Sequence, residues 1–480
     1  MNQTTSDTET QTQTQKVPSP LVSLLPLAVL VGLLVITIRR YGSDALGGAS
    51  QVVLLISAAV CVLIGMVFYK VSWKTFEDNI IHNVASTTGA IVILLLIGAL
   101  SGTWMVSGVV PSLIYYGMKI IHPDVFLASS CIISALVSLM TGSSWTTIAT
   151  IGIALMGIGR AQGFDDGWIA GAIISGAYFG DKVSPLSDTT VLASGGAGVP
   201  LFRHIRYMMI TTVPSLLITL IIFAVAGFVH PCSSALRTEE ISEALVQNFN
   251  LSPWLLAVPV LTGVMIARRL PPFITLFLAT ALAVLFAFIF QSDILARINP
   301  DSFKAALQSV YGSTTIDTGN PMLTNLVATR GMGGMLSTIW LIMCALCFGG
   351  CMAAGGMVKG ITRLFTHMIH GRASTVTSTV ASGIMLNIAI ADQYLCILLT
   401  ENMFKDIYDY RGLERRLLSR TTEDSVTVTS VLVPWNTCGM TQSTVLGVAT
   451  LTYLPFCFFN LISPLMSILV GLIGYKIKER

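Results

Sequence analysis

Residues 176–196 read GAYFGDKVSPLSDTTVLASGG and place Asp181, Lys182 and Asp188 inside an otherwise apolar run. An ionisable side chain at membrane depth costs ~2.5–3.5 kcal/mol on insertion scales, so it faces a polar cavity and finds a partner. The flanks IAGAIISGAYF and TVLASGGAGVPL are each too short to cross a bilayer. Together they make one span, broken at Gly180 and Pro185. The competing reading is an extramembrane loop between two short helices. A break frees backbone carbonyls, which are hard oxygen donors, and aims half-helix ends at the bilayer middle.

The rest of the chain fits that setting. Its 480 residues are 53% apolar and 11% charged, against roughly 25% charged in an ordinary soluble domain. Apolar runs recur at about 21–38, 51–69, 90–116, 124–158 (two short arms), 166–199 (interrupted), 207–229, 253–267, 273–290, 335–358, 374–406 (two short arms), 416–449 (interrupted) and 454–475. The fold class is therefore an all-α polytopic membrane protein. The net charge of +3 is small and Lys and Arg fall in short clusters, so nucleic acid is not a partner; the lipid bilayer is. Residues 1–19 form a polar tail, read as disordered. The nine cysteines fall mainly in apolar runs as packing residues, and the six histidines form no ligand set.

The order of long, paired and broken segments occurs twice. Ala99-Leu100 matches Ala345-Leu346, the Ser143-Ser144 turn matches Ala391-Asp392, and Pro185-Leu186-Ser187-Asp188 matches Pro434-Trp435-Asn436-Thr437. This near-constant offset predicts a duplication: a first transmembrane repeat over 20–232, a linker over 233–252 and a second repeat over 253–480. If 124–158 and 374–406 are re-entrant hairpins, Lys and Arg divide 18 to eight between the two sides, leaving out Lys182; if both segments span, the division is 16 to ten. The positive-inside rule prefers the hairpins, with both termini cytoplasmic. The expected architecture is about ten crossings plus two re-entrant hairpins and two discontinuous helices. Five crossings per half then make the second repeat inverted.

The hydroxyls of Ser184, Ser187, Thr189 and Thr190 with the Asp188 carboxylate form an oxygen set without thiolate or imidazole, which suits Na⁺. The second interruption, VLVPWNTCGMTQST, supplies Asn436 and Thr437 but no aspartate. Na⁺ is thus expected at Asp188, Ser187, Asn436 and Thr437. Negative charge for the second half comes from Asp392, at the position equivalent to Ser144, unless that residue only caps a helix. Glu423 and Asp424 lie 12–13 residues before Asn436, or ~18–20 Å along a helix, nearer the cytoplasmic mouth. They either admit protons or cations, or form an interfacial pair opposite Arg415, Arg416 and Arg420. Lys182 either neutralises Asp181 or itself loses a proton. Burial disfavours a charged carboxylate and a cation favours it, so cation and proton compete for the same oxygens.

GDKVSPLSDTTVLAS at 180–194, TGSSWTTIATIGIAL at 141–155 and EDSVTVTSVLVPWNTCG at 423–439 resemble the NhaC family of bacterial Na⁺/H⁺ antiporters, over about residues 75–475. The resemblance implies Na⁺ efflux driven by inward H⁺ movement across the bacterial inner membrane, a role in pH homeostasis, and paired hairpins with interrupted helices. It also implies a first hairpin tip at Ser143, Ser144 and Thr146. Some relatives exchange malate and lactate with Na⁺ and H⁺, so a small carboxylate, like Li⁺, is an alternative cargo. Scaffold helices in related folds serve as homodimer contacts. No cofactor fingerprint or catalytic set is present, so the chain reads as a transporter rather than an enzyme.

Overall fold

The computed structural model describes residues 17–41, 48–229 and 235–477, so the polar tail up to residue 16, the last three residues of the expected first repeat and linker positions 233 and 234 lie outside the described residues. Among the described residues the regular structure is helical, with one isolated bridge between Thr314 and Thr329. Among the described residues eight helices are long and apolar enough to cross a membrane, or up to ten if two bent pairs each form one span; two of the eight, Pro123–Thr141 and Arg372–Ile390, are the first arms of the expected hairpins and are longer than the short arms expected there. Their outward faces are apolar: on Leu201–Val229, Leu217, Ile221, Val225 and Phe228 are exposed at helical spacing, an arrangement that lipid satisfies and water does not. The chain is a multi-pass helical membrane protein.

Two expected boundaries move. The span expected at 90–116 belongs to a helix of 34 residues, Trp73–Val106, capped by Ser72, whose hydroxyl accepts from the Thr75 N–H at 3.2 Å. The chain then bends at Gly108, whose φ of +79° is left-handed backbone, and restarts as Val109–Ile120. Leu336–Ala354, Gly356 at φ +69° and Met357–Thr366 repeat that bend in the second half. Within the expected linker, Ala235–Asn248 is a helix. Ile241, Ala244 and Leu245 are buried at helical spacing, a short apolar stripe in a polar segment.

The first hairpin runs down Phe126–Thr141, turns at Gly142 and Ser143, and returns over residues 144–162 with a π turn at Ile148–Gly152. The second runs down Arg372–Ile390, turns at Ala391 and Asp392, and returns as Gln393–Tyr410. Gly142 and Ala391 hold the same left-handed backbone, at φ +67° and +63°. For alanine that conformation costs roughly 1–2 kcal/mol.

The first broken helix comprises Asp166–Val183 and Asp188–Gly196 around extended residues 184–187. The second comprises Arg415–Thr422, a π turn at Glu423–Thr427 and a short turn at Ser430–Leu432, then residues 433–436 and Thr437–Leu446. Pro185 and Pro434 explain both breaks, because each pushes the preceding residue into extended backbone: ψ is 130° at Ser184 and 116° at Val433. Gly180 does not break its helix, contrary to expectation. It lies one turn beyond Gly176, and both face the backbone of Phe126–Thr141, at Ala135 and Cys131 respectively. The pair lets two helix backbones approach where any side chain would collide.

Candidate functional site

Each hairpin tip docks on the break of its own half. Asp181, buried near the end of Asp166–Val183, accepts from the Ser144 N–H at 3.1 Å and the Ser144 hydroxyl at 2.7 Å on Oδ2. Its Oδ1 accepts from the Ser187 hydroxyl at 2.6 Å. Thr189 Oγ1 lies 2.9 Å from Ser187 Oγ, so a row of hydroxyl oxygens surrounds one enclosed carboxylate. Ser184 donates to the Leu139 carbonyl at 2.9 Å and Thr190 to the Lys182 carbonyl at 2.9 Å, holding the extended break in place. Ser143 caps the returning arm by accepting from the Thr146 N–H at 3.2 Å.

In the second half the Thr437 N–H donates to the Ala391 carbonyl at 2.9 Å. Asn436 caps its short helix by accepting from the Cys438 N–H at 3.1 Å and reaches the Asn387 carbonyl at 3.3 Å. Asp392 caps the returning arm, accepting from the Leu395 N–H at 3.0 Å. Its counterpart is Ser143, the other cap after a left-handed turn residue, and not Ser144 as the sequence register suggested. The register of 249 positions extends to contacts. Ser138 donates to the Ala177 carbonyl at 2.6 Å and Asn387 to the Val426 carbonyl at 2.7 Å. The Ser144–Asp181 pair answers to Gln393–Ser430, where the Ser430 hydroxyl donates to Gln393 Oε1 at 2.8 Å. The acid of one pair is replaced by a hydroxyl in the other.

Other site residues lie elsewhere than expected. Asp188, the first residue of Asp188–Gly196, is exposed; the enclosed carboxylate of this segment is Asp181. Lys182 does not pair with Asp181. Its Nζ meets Asp424 Oδ1 and lies 3.0 Å from Ser463 Oγ. Asp424 also accepts from Thr211 Oγ1 at 3.0 Å, and Arg420 Nε lies 3.7 Å from its Oδ2. Glu423 and Asp424 are fully enclosed rather than interfacial. Of the arginines set opposite them, Arg415 pairs with Asp409 and Arg416 with Glu414, whereas Arg420 is buried over the Tyr207 ring at 4.8 Å. Helix packing brings Asp424 across to Lys182, a pairing that spacing along one helix does not reveal.

Glu401 was not singled out in the sequence, yet it is fully buried. It sits on the polar part of the second returning arm, where its polar neighbours Asn402, Lys405 and Asp406 gave no sign of burial. Among the described residues, the buried charged side chains, His204 aside, are the acids Asp181, Asp392, Glu401, Glu423 and Asp424 and the cations Lys182 and Arg420. That excess of acid favours cations. No three of His, Cys, Asp and Glu among the described residues converge as a metal centre, so a cation at Asp181 would rest on one carboxylate with hydroxyl and carbonyl oxygens.

The sequence pattern of the Na⁺/H⁺ antiporter family matches residues 176–475. The chain is 35% identical over 428 residues to the Na(+)/H(+) antiporter NhaC of Bacillus subtilis (strain 168), covering 88% of this chain and 91% of that protein. It is 37% identical over 422 residues to the NhaC antiporter of Alkalihalophilus pseudofirmus, covering 87% and 90%. It is also 35% identical over 426 residues to the malate-2H(+)/Na(+)-lactate antiporter of Bacillus subtilis (strain 168), covering 88% and 89%. With its own helix breaks and hairpin tips inside the matched regions, this chain belongs to the Na⁺/H⁺ antiporter family.

Proposed function

We propose that this protein exports Na⁺ from the cytoplasm in exchange for H⁺ across the bacterial inner membrane, with both termini cytoplasmic. The carrying observation is the enclosure of Asp181 by the Ser144 and Ser187 hydroxyls where a hairpin tip meets a helix break. Asp181 with Ser144, Ser187 and Thr189 binds the cation; Asp188 lines its approach, and Asp392, Asn436 and Thr437 form the counterpart surface. The two halves act as inverted repeats, each hairpin re-entrant and each broken helix discontinuous at the membrane middle. Contacts that recur at an offset of 249 residues support the repeat. Na⁺ and H⁺ compete for the Asp181 carboxylate, and the loaded and protonated forms alternate between the two sides.

A second reading has one observation in its favour. Arg420 is enclosed and its three guanidinium nitrogens make no hydrogen bond, as a receptor for a small carboxylate would. The test is transport by the purified protein in proteoliposomes under an imposed pH gradient, with Na⁺, Li⁺, K⁺, or malate with lactate added in turn. Proton movement with Na⁺ alone fits exchange; a requirement for both organic acids moves the assignment to the second reading. Asp181→Asn abolishes transport while protein remains in the membrane, whereas Asp188→Asn keeps exchange at reduced Na⁺ affinity. Wild-type exchange in Asp181→Asn removes the proposed cation site.

A further inference from the structure

Glu401 belongs to neither the Asp181 cage nor the Lys182–Asp424 cluster. It lies on Gln393–Tyr410, fully enclosed, and neither carboxyl oxygen has a hydrogen-bond partner. Its carboxyl rests on Gly196, the last residue of the short helix Asp188–Gly196, where a methyl group would collide with Oε2. Its electrostatic neighbours are Glu423, from the π turn of the second broken helix, and Lys405, one turn along its own helix.

The remaining charged groups on the elements packed around it have other partners or lie apart from it. Arg415 pairs with Asp409, Arg416 with Glu414, and both Arg420 and Lys182 face Asp424. His204 shares a 2.8 Å hydrogen bond with Ser419. Arg372, at the outer end of the adjoining arm, reaches the Gly471 carbonyl at 3.1 Å. Asp188 stands at the opposite end of the short helix. A carboxylate offers about four acceptor positions, and leaving them unpaired away from water is costly. The ligand that removes this cost without needing space is a proton.

We infer that Glu401 is a proton-carrying site of the transport cycle, separate from the cation cage at Asp181 and joined to it by the helix Asp188–Gly196. The inference rests on the exchange reading. That helix is a rod of nine residues, about 13 Å long. At its start the capping Ser187 hydrogen-bonds Asp181, and at its end Gly196 covers Glu401. Filling of the cage and protonation of Glu401 therefore act on opposite ends of one rigid element, which couples the cage to a second proton site beside the competition at Asp181. The proton adds to a carboxyl oxygen from water on one side and returns to water on the other; no other bond forms or breaks.

The test uses full-length protein in proteoliposomes with two readouts: ²²Na⁺/Na⁺ exchange at equal pH on both sides, and ²²Na⁺ uptake driven by a pH gradient. In Glu401→Gln the first stays within about twofold of wild type while the second falls more than tenfold. Asp181→Asn loses both. PH-driven uptake at the wild-type rate in Glu401→Gln overturns the inference, and so does loss of both activities, which would make Glu401 structural or part of the cation site. Glu401→Asp keeps a carboxyl one methylene shorter and regains part of the pH-driven uptake; loss equal to that of Glu401→Gln also overturns it. A wild-type protein that moves no Na⁺ under a pH gradient defeats the exchange reading itself.

Discussion

Removing Asp424 should destabilise this protein more than removing Lys182, although the two form one buried ion pair. Both are fully enclosed, so neither charge regains water when its partner is lost. Breaking a buried pair by deleting one member costs about 3–5 kcal/mol. Lys182→Met leaves Asp424 with the Thr211 hydroxyl at 3.0 Å, the Ser463 hydroxyl at 3.3 Å and Arg420 at 3.7 Å. That places its loss near the low end, about 3 kcal/mol. Asp424→Asn strands two cations, Lys182 and Arg420. At 3.7 Å and an effective dielectric of ~20, the Arg420 attraction alone is worth about 4–5 kcal/mol before desolvation is counted. The expected loss is therefore about 5 kcal/mol or more. Because the two changes share one interaction, the double variant should fall short of the sum of the singles. The assay is the fraction of detergent-purified protein remaining monodisperse after graded heating, with SDS titration as a second measure. Lys182→Met at least as unstable as Asp424→Asn, or strict additivity in the double variant, would refute the assignment of Asp424 to two cations.

Two further outcomes follow from the contacts. Ser187→Ala removes a hydroxyl shared by Asp181 and Thr189, and apparent Na⁺ affinity in the pH-gradient assay should fall roughly tenfold, about 1.4 kcal/mol, with a stability loss of about 0.5–2 kcal/mol from the lost helix cap. Gly180→Val forces a side chain into the backbone at Ala135 and Leu139 and should cost about 3 kcal/mol, seen as lost monodispersity, while Gly195→Ala, which meets open space, should be near neutral.

The resemblance in residues 141–155, 180–194 and 423–439 and the apolar runs led to the all-helical membrane architecture that the helices display. The break at Pro185 was legible because proline acts on its immediate neighbour. The role of Gly180 was not, since a glycine inside a helix signals a kink or a close contact equally well, and only the position of Phe126–Thr141 decides between them. Asp188 was set among the hydroxyls of Ser184, Ser187, Thr189 and Thr190, but the extended residues 184–187 place it on a second helix, where packing leaves it exposed while Asp181, on the first, turns inward. Glu401 sat among Asn402, Lys405 and Asp406 in a segment polar enough to read as an outer arm.

What the sequence determined by itself is whatever each residue settles with its near neighbours and its solvent: which runs are apolar enough for lipid, where proline interrupts them, and which residues cap the restarts. These are local free energies that add along the chain. Which acid is enclosed and which cation it faces was decided by the tertiary structure. Lys182 and Asp424 are 242 positions apart, and the partner of a buried charge depends on which helix faces are pressed together.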